Sequence, residues 1–158
     1  MAEAAANARE LLTERIGHEE GVGEWFEITQ DMISEFADLT HDHQFIHVDE
    51  DAAKAVGFPT TIAHGFLTLS MLTKLAASIP QDPEVFKGVA MGMNYGFDKV
   101  RFVNPVPNGS RVRCRSALSA VEPKGDDALH LTRTYTMEIE GSDKPALVAE
   151  WIVRLVFA

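Results

Sequence analysis

A chain of 158 residues, 46% of them hydrophobic, is long enough to bury the core of one domain. Its formal net charge of −10, from 24 acidic and 14 basic residues, argues against nonspecific affinity for nucleic acid or anionic membranes. The single cysteine, Cys114, excludes an internal disulfide framework, and no secretory signal or membrane-spanning run stands out. We therefore expect a single domain over residues 1–158 in a cytoplasmic protein.

The first half of the chain predicts helices. Residues 3–18 form an Ala-rich, weakly amphipathic pattern, which we expect to be a peripheral, loosely attached N-terminal helix within residues 1–20. Residues 23–29 are a strand candidate, and Thr29 is a plausible N-cap for a helix running to about Leu39. A short helix is predicted near residues 49–56, and Gly57 and Pro59 would end it.

An uninterrupted apolar helix is predicted from about His64 to Ile79, and it should be buried because apolar residues cover nearly all its faces. The remaining chain alternates apolar and polar residues over 111–118, 131–139 and 146–157, which predicts strands separated by turns at 105–109, 124–127 and 141–145. The predicted fold class is α+β, with an antiparallel sheet curled over a central helix.

Histidines and carboxylates concentrate in residues 36–72, between two apolar runs. Three of the histidines, in the segment "HDHQFIH", could suggest a metal site. However, no further ligand follows at the spacing that hydrolase and oxygenase sites use, so we predict no metal. An ordinary polar loop remains a structural alternative. The cluster comprises His41, His43, His47, His64, Asp38, Asp42, Asp49, Glu50 and Asp51.

An acid/base site is the third interpretation of this cluster. Asp42 and His47 lie five residues apart on a segment expected to be non-helical, and together they could move protons to and from water. Gly65 falls in the first turn of the predicted buried helix, where backbone N–H groups lack intrahelical acceptors and could bind a carbonyl oxygen. A close packing contact is an equally good explanation of Gly65.

Two motifs, "FADLTHDHQFIHVDEDAA" and "TIAHGFLTLSML", resemble the signature of the MaoC-like, R-specific enoyl-CoA hydratases, especially their NodN-like branch. The segment "MNYGFDKVRFVNPVPNGSRVR" is similar to the same branch, so the resemblance runs from about Trp25 to Arg115. It implies a single hot-dog fold, usually a homodimer, and syn addition of water to a trans-2-enoyl thioester without a cofactor.

The resemblance also implies roles for single residues. Asp42 and His47 match the catalytic positions of the family's D-x-N-P-x-H element, and Gly65 takes the place of the oxyanion glycine. Gln44-Phe45 replaces the usual Asn-Pro, as is common in the NodN-like branch, and His41 replaces a residue that is usually Gly. The predicted substrate-binding residues are Gln44, Ala63, His64 and Asn94.

A local surplus of positive charge lies between Asp98 and Arg115, and it could bind the phosphates of coenzyme A. An exposed strand face is the alternative explanation. The expected partner is an acyl-CoA or acyl carrier protein thioester, and no nucleic acid or membrane. The cations are Lys99, Arg101, Arg111, Arg113 and Arg115.

Two other functions remain open because fold alone does not decide chemistry. One is an acyl-thioester hydrolase. The other is a non-catalytic acyl-thioester-binding subunit of a heteromeric dehydratase.

Overall fold

A computed structural model describes residues 2–158. Within these residues, six helices and six strands follow one another. The helices are α1 (Ala2–Thr13), α2 (Gln30–Thr40), α3 (Phe45–Val48), α4 (Glu50–Ala55), α5 (Gly65–Ser70) and α6 (Leu72–Ala76). The strands are β1 (Glu19–Val22), β2 (Phe26–Glu27), β3 (Val89–Phe102), β4 (Arg111–Pro123), β5 (Ala128–Ile139) and β6 (Leu147–Phe157).

All strand pairs form one antiparallel sheet in the order β1-β4-β5-β6-β3, and β2 also pairs with β4. In β5 the odd-numbered residues are buried and most of the even-numbered ones are more exposed, which is the alternation expected when one face of a sheet covers a core. Helices α5 and α6 pack on that face through Leu67, Leu72 and Leu75. The predicted α+β class, with a sheet around central helices, is confirmed.

The helix ends near the cluster form as predicted. Thr29 caps α2 by accepting a hydrogen bond from the Met32 N–H at 3.4 Å, and Asp49 caps α4 by accepting one from the Ala52 N–H at 3.0 Å. The central helix differs from its prediction, because it is divided at Met71 into α5 and α6. At the break, the Thr73 hydroxyl donates to the Ser70 carbonyl at 2.9 Å. The Leu75 N–H still donates to the Met71 carbonyl at 3.0 Å, so the two helices follow one another directly.

The N-terminal helix is shorter and more firmly packed than expected. It ends at Thr13, and Ala5, Ala8 and Leu12 are buried against Leu118 and Phe157 of the sheet. The expected loose attachment is therefore wrong. No helix within residues 2–158 combines the length and apolar character needed to cross a membrane.

The longest strand, β3, was not predicted from periodicity. All its residues are exposed or half-buried, so it lacks the alternation of a strand with one buried face. It forms one end of the sheet. The strand predicted at residues 23–29 shrinks to β2, and β1 was also missed.

Candidate active site

Asp42 lies in the connection between α2 and α3, where the chain reverses through a left-handed residue. His41 ends α2 with φ 59° and ψ 24°, a conformation that favours glycine. His41 therefore occupies a position that glycine would suit better, and its side chain is exposed. His43 is also exposed and pairs with Asp38 at 2.7 Å.

His47 lies on the one-turn helix α3, which corrects the expectation of a non-helical segment. Its Nδ1 is 2.7 Å from the Ile62 carbonyl oxygen. Since a carbonyl can only accept, Nδ1 carries the proton and Nε2 is the free, basic ring nitrogen. Burial lowers the pKa of His47, the hydrogen bond to Ile62 opposes this, and His64 lowers the pKa further.

The side chains of Asp42, His47 and His64 meet, with one polar atom of each within 4.8 Å of the others. The two imidazole rings are stacked, 3.8 Å apart with an interplanar angle of 25°. Ring nitrogens bind metals along lone pairs that lie in the ring plane, and nearly parallel planes do not converge on one ion. The arrangement therefore favours proton transfer over metal binding.

A cavity of about 340 Å³ opens beside this cluster. Its lining is largely apolar and includes His47, Ala63, Gly65, Thr68 and Phe102. Gly65 is the first residue of α5, so its N–H has no acceptor within the helix. A carbonyl oxygen in the cavity can therefore approach both an imidazole and a free backbone N–H. Acid/base chemistry beside a carbonyl group requires these two kinds of group.

The predicted substrate-binding residues are not all brought together. Ala63 lines the cavity, whereas Gln44 is exposed at the N-cap of α3. His64 is only 2% exposed and its Nε2 is held by the Asp42 carbonyl, so its contacts are with the cluster itself. Asn94 is exposed on β3, where its side-chain oxygen accepts from the indole of Trp151.

Two groups that shape the candidate site were not predicted from the sequence. The Ile62 carbonyl sets the tautomer of His47, and Phe102 forms a wall of the cavity. A main-chain acceptor leaves no signal in a sequence. Phe102 belongs to the segment that carried the family resemblance, which was the one available indication.

Most of the predicted phosphate-binding cations are engaged in ion pairs. Lys99 pairs with Glu150 at 2.6 Å, and Arg111 pairs with Glu140 at 3.0 Å. Arg113 and Arg115 share Glu138, each at 2.6 Å. Within residues 2–158, Arg101 has no carboxylate partner; its guanidinium donates to the Val100 carbonyl.

Known proteins resemble this chain in sequence and in fold. Residues 12–139 match the family described as MaoC like domain. The 3-hydroxyacyl-thioester dehydratase Z of Mycobacterium tuberculosis is 50% identical over 140 residues, 89% of this chain and 90% of that protein. Nodulation protein N of Rhizobium leguminosarum bv. viciae is 49% identical over 144 residues, 90% of this chain and 88% of that protein.

Among solved structures, the MaoC-like dehydratase from Rhodospirillum rubrum has a TM-score of 0.73 at 18% identity and covers 90% of this chain and 93% of its own. The (R)-hydratase from A. caviae has a TM-score of 0.65 at 24% identity and covers 84% and 94%. These likenesses confirm the predicted hot-dog fold. With its aspartate and histidine beside a cavity, the structure defines a hot-dog protein of the dehydratase and hydratase class. The chain belongs to the MaoC-like family.

Proposed function

We propose that this protein is a hydro-lyase that interconverts trans-2-enoyl thioesters and (R)-3-hydroxyacyl thioesters. One observation carries the proposal: Asp42 and His47 meet beside a largely apolar cavity that the Gly65 N–H also borders. The Mycobacterium tuberculosis relative, which is named a 3-hydroxyacyl-thioester dehydratase, supports the same substrate class.

In the hydration direction, the free Nε2 of neutral His47 takes a proton from water while the water oxygen attacks C3 of the enoyl group. The double-bond electrons move towards the thioester carbonyl, and its oxygen gains negative charge beside the Gly65 N–H. The His47 imidazolium then returns the proton to C2 on the same face, which gives syn addition. The Asp42 carboxylate accepts a hydrogen bond from the second O–H of the water, which remains in the product as the 3-hydroxyl, and it stabilises the imidazolium.

The proposal is tested by following the loss of enoyl absorbance with crotonyl-CoA and with longer enoyl-CoAs. Asp42→Asn and His47→Gln should each lower kcat by about 10²-fold or more, the scale of general acid–base catalysis. His43→Gln is a matched control on the same connection, and it should keep wild-type activity. Full activity in both site variants, or an (S)-3-hydroxyacyl product, would exclude this mechanism.

Arg101 is the strongest candidate for contact with a phosphate of the carrier. It is the one member of the basic group without a carboxylate partner in the described chain, and it directly precedes the cavity residue Phe102. A cation that is not already neutralised by a neighbour can offer its full charge to a phosphate. This supports a phosphate-bearing carrier, coenzyme A or acyl carrier protein, as the thioester partner.

A homodimer in the cytoplasm completes the proposal. Strand β3 has 14 residues and lies at one end of the sheet, so one edge is left unpaired by the described residues. Met91, Met93 and Tyr95 are exposed along it. A long edge with exposed apolar side chains is a template for pairing with a second strand. Light scattering should give about twice the monomer mass, and a monomer at micromolar concentration would exclude it.

A further inference from the structure

His64 contacts both proposed catalytic residues but does not line the cavity. Its Nε2–H donates a 2.9 Å hydrogen bond to the backbone carbonyl of Asp42. Its ring stacks on the ring of His47 at 3.8 Å. One side chain therefore holds the main chain of the first residue and the imidazole of the second.

The backbone around His64 is held by several hydrogen bonds and a ring contact. Its carbonyl accepts hydrogen bonds from both the N–H and the hydroxyl of Thr68, at 3.0 and 3.1 Å. The preceding residue, Ala63, donates to the Val106 carbonyl at 2.8 Å, and the ring of Phe36 packs against the His64 ring at 5.1 Å. Asp42, in contrast, is exposed in a connection between helices, where loops are ordinarily mobile.

A histidine is a costly choice if the position only needs filling. His64 Nδ1 is buried and has no hydrogen-bond partner in the described chain. A buried polar atom without a partner costs about 1–3 kcal/mol. Phenylalanine would fill much of the same space without that cost, so the imidazole is better explained by what its other nitrogen and its face do.

We propose that His64 is a positioning residue that fixes Asp42 and His47 relative to each other for proton transfer. The inference rests on the proposed hydro-lyase function. Catalytic groups displaced by about 1 Å lose about 10²-fold in rate, so one hydrogen bond and one stacking contact are sufficient to matter.

Two substitutions separate the two contacts. His64→Phe keeps a ring against His47 but removes the donor to Asp42, whereas His64→Gln keeps a donor near the position of Nε2 but removes the ring. Each should lower kcat with crotonyl-CoA by tenfold or more and leave KM within about threefold. His64→Phe should fold with wild-type stability or better. His43→Phe and His43→Gln are the matched controls and should change neither constant.

Measuring the effect of His64→Phe in the Asp42→Asn variant shows whether His64 acts through Asp42. If His64 acts through Asp42, His64→Phe should reduce kcat much less in Asp42→Asn than in the wild type, because residues that work as a unit are not additive.

NMR titration adds a readout independent of turnover. Asp42 and His64 are the titratable groups that act on His47, and removing the imidazole of His64 should raise the pKa of His47.

The outcomes are distinct. Reduced kcat with unchanged KM, non-additivity with Asp42→Asn and a raised His47 pKa support the inference. The inference would be overturned if the wild type is active and both His64→Phe and His64→Gln fold with a kcat within twofold of the wild-type value. That result would leave the proposed function intact. A wild type without hydratase activity on any enoyl-CoA would instead overturn the proposed function.

Discussion

Gly65 lies against the ring of Phe102. A Cβ added to Gly65 would come within 3.3 Å of three ring atoms of Phe102, tighter than ordinary van der Waals contact. Phe102 is half exposed, so its ring can move by a few tenths of an ångström. The glycine thus serves a packing contact and also keeps the approach to its own N–H open.

Gly65→Ala separates these two roles, because alanine retains the backbone N–H. We expect a stability loss below about 1 kcal/mol, since the neighbouring ring can give way, and a loss of kcat of about 10²-fold, since the new methyl obstructs the carbonyl oxygen. Urea denaturation and crotonyl-CoA kinetics measure the two effects. Phe102→Ala in the same chain relieves the packing contact, and full recovery of kcat in that double variant would assign Gly65 to packing alone.

The pH dependence of hydration should follow His47. Burial lowers its pKa, and hydration requires the neutral form, so kcat should rise with pH through a midpoint below about 6.5, the ordinary value for imidazole. The nearby Asp42 opposes the lowering, and Asp42→Asn should therefore move the pKa of His47 down further. NMR titration of His47 in the wild type and in Asp42→Asn measures both shifts, and a His47 midpoint above pH 7 in the wild type would contradict the assignment.

Charge reversal at Arg101 tests the carrier contact. Arg101→Glu should raise KM for crotonyl-CoA by about fivefold, the equivalent of roughly 1 kcal/mol for an exposed charge pair, and the effect should shrink as salt increases. Arg111→Glu is the comparison, because Arg111 is already paired with Glu140. Crotonyl-N-acetylcysteamine has no phosphate, so its KM should not respond. Equal effects on both thioesters would exclude phosphate recognition by Arg101.

A substitution at His41 tests how much the left-handed backbone before Asp42 costs in stability. His41→Gly should stabilise the protein by about 1 kcal/mol, because a left-handed backbone is strained for residues with a Cβ. His43→Gly is the control in the same connection; His43 does not have a positive φ, and the added flexibility should destabilise. Thermal and urea denaturation measure both, and a destabilised His41→Gly would show that its side chain contributes more than the strain costs.

The sequence predicted the parts of the site that depend on local chemistry. Thr29 caps α2 as predicted, and the short helix predicted near residues 49–56 forms with Asp49 as its cap. Both follow from side-chain acceptors that act within a few residues of a helix start. The convergence of Asp42 and His47 was also anticipated, from residue types, spacing and the family resemblance. The meeting of these two groups with His64 could not be predicted, because it depends on where α5 lies relative to α3.

Other features that depend on distant parts of the chain could not be predicted either. Strand β3 has two glycines and no buried face of its own, so only its pairing with β6 reveals it as a strand. The basic surplus was visible in the sequence, but the acidic partners are contributed by other strands: Glu138 comes from β5 and Glu150 from β6. Local charge counts cannot show neutralisation across a sheet.

A largely buried ion pair links β1 to β5 across the strand β4 that lies between them. Glu20 and Arg133 are 12% and 9% exposed, 2.6 Å apart, and Ser116 donates a further hydrogen bond to Glu20 at 2.9 Å. Removing one partner leaves an uncompensated buried charge, so Arg133→Met should destabilise the fold by about 3–5 kcal/mol. Arg111→Met breaks an exposed pair and should cost about 1 kcal/mol or less. Urea denaturation compares them; equal losses would show that Glu20 and Arg133 reach water in solution. The double substitution Glu20→Leu with Arg133→Met removes both charges and should recover much of the loss.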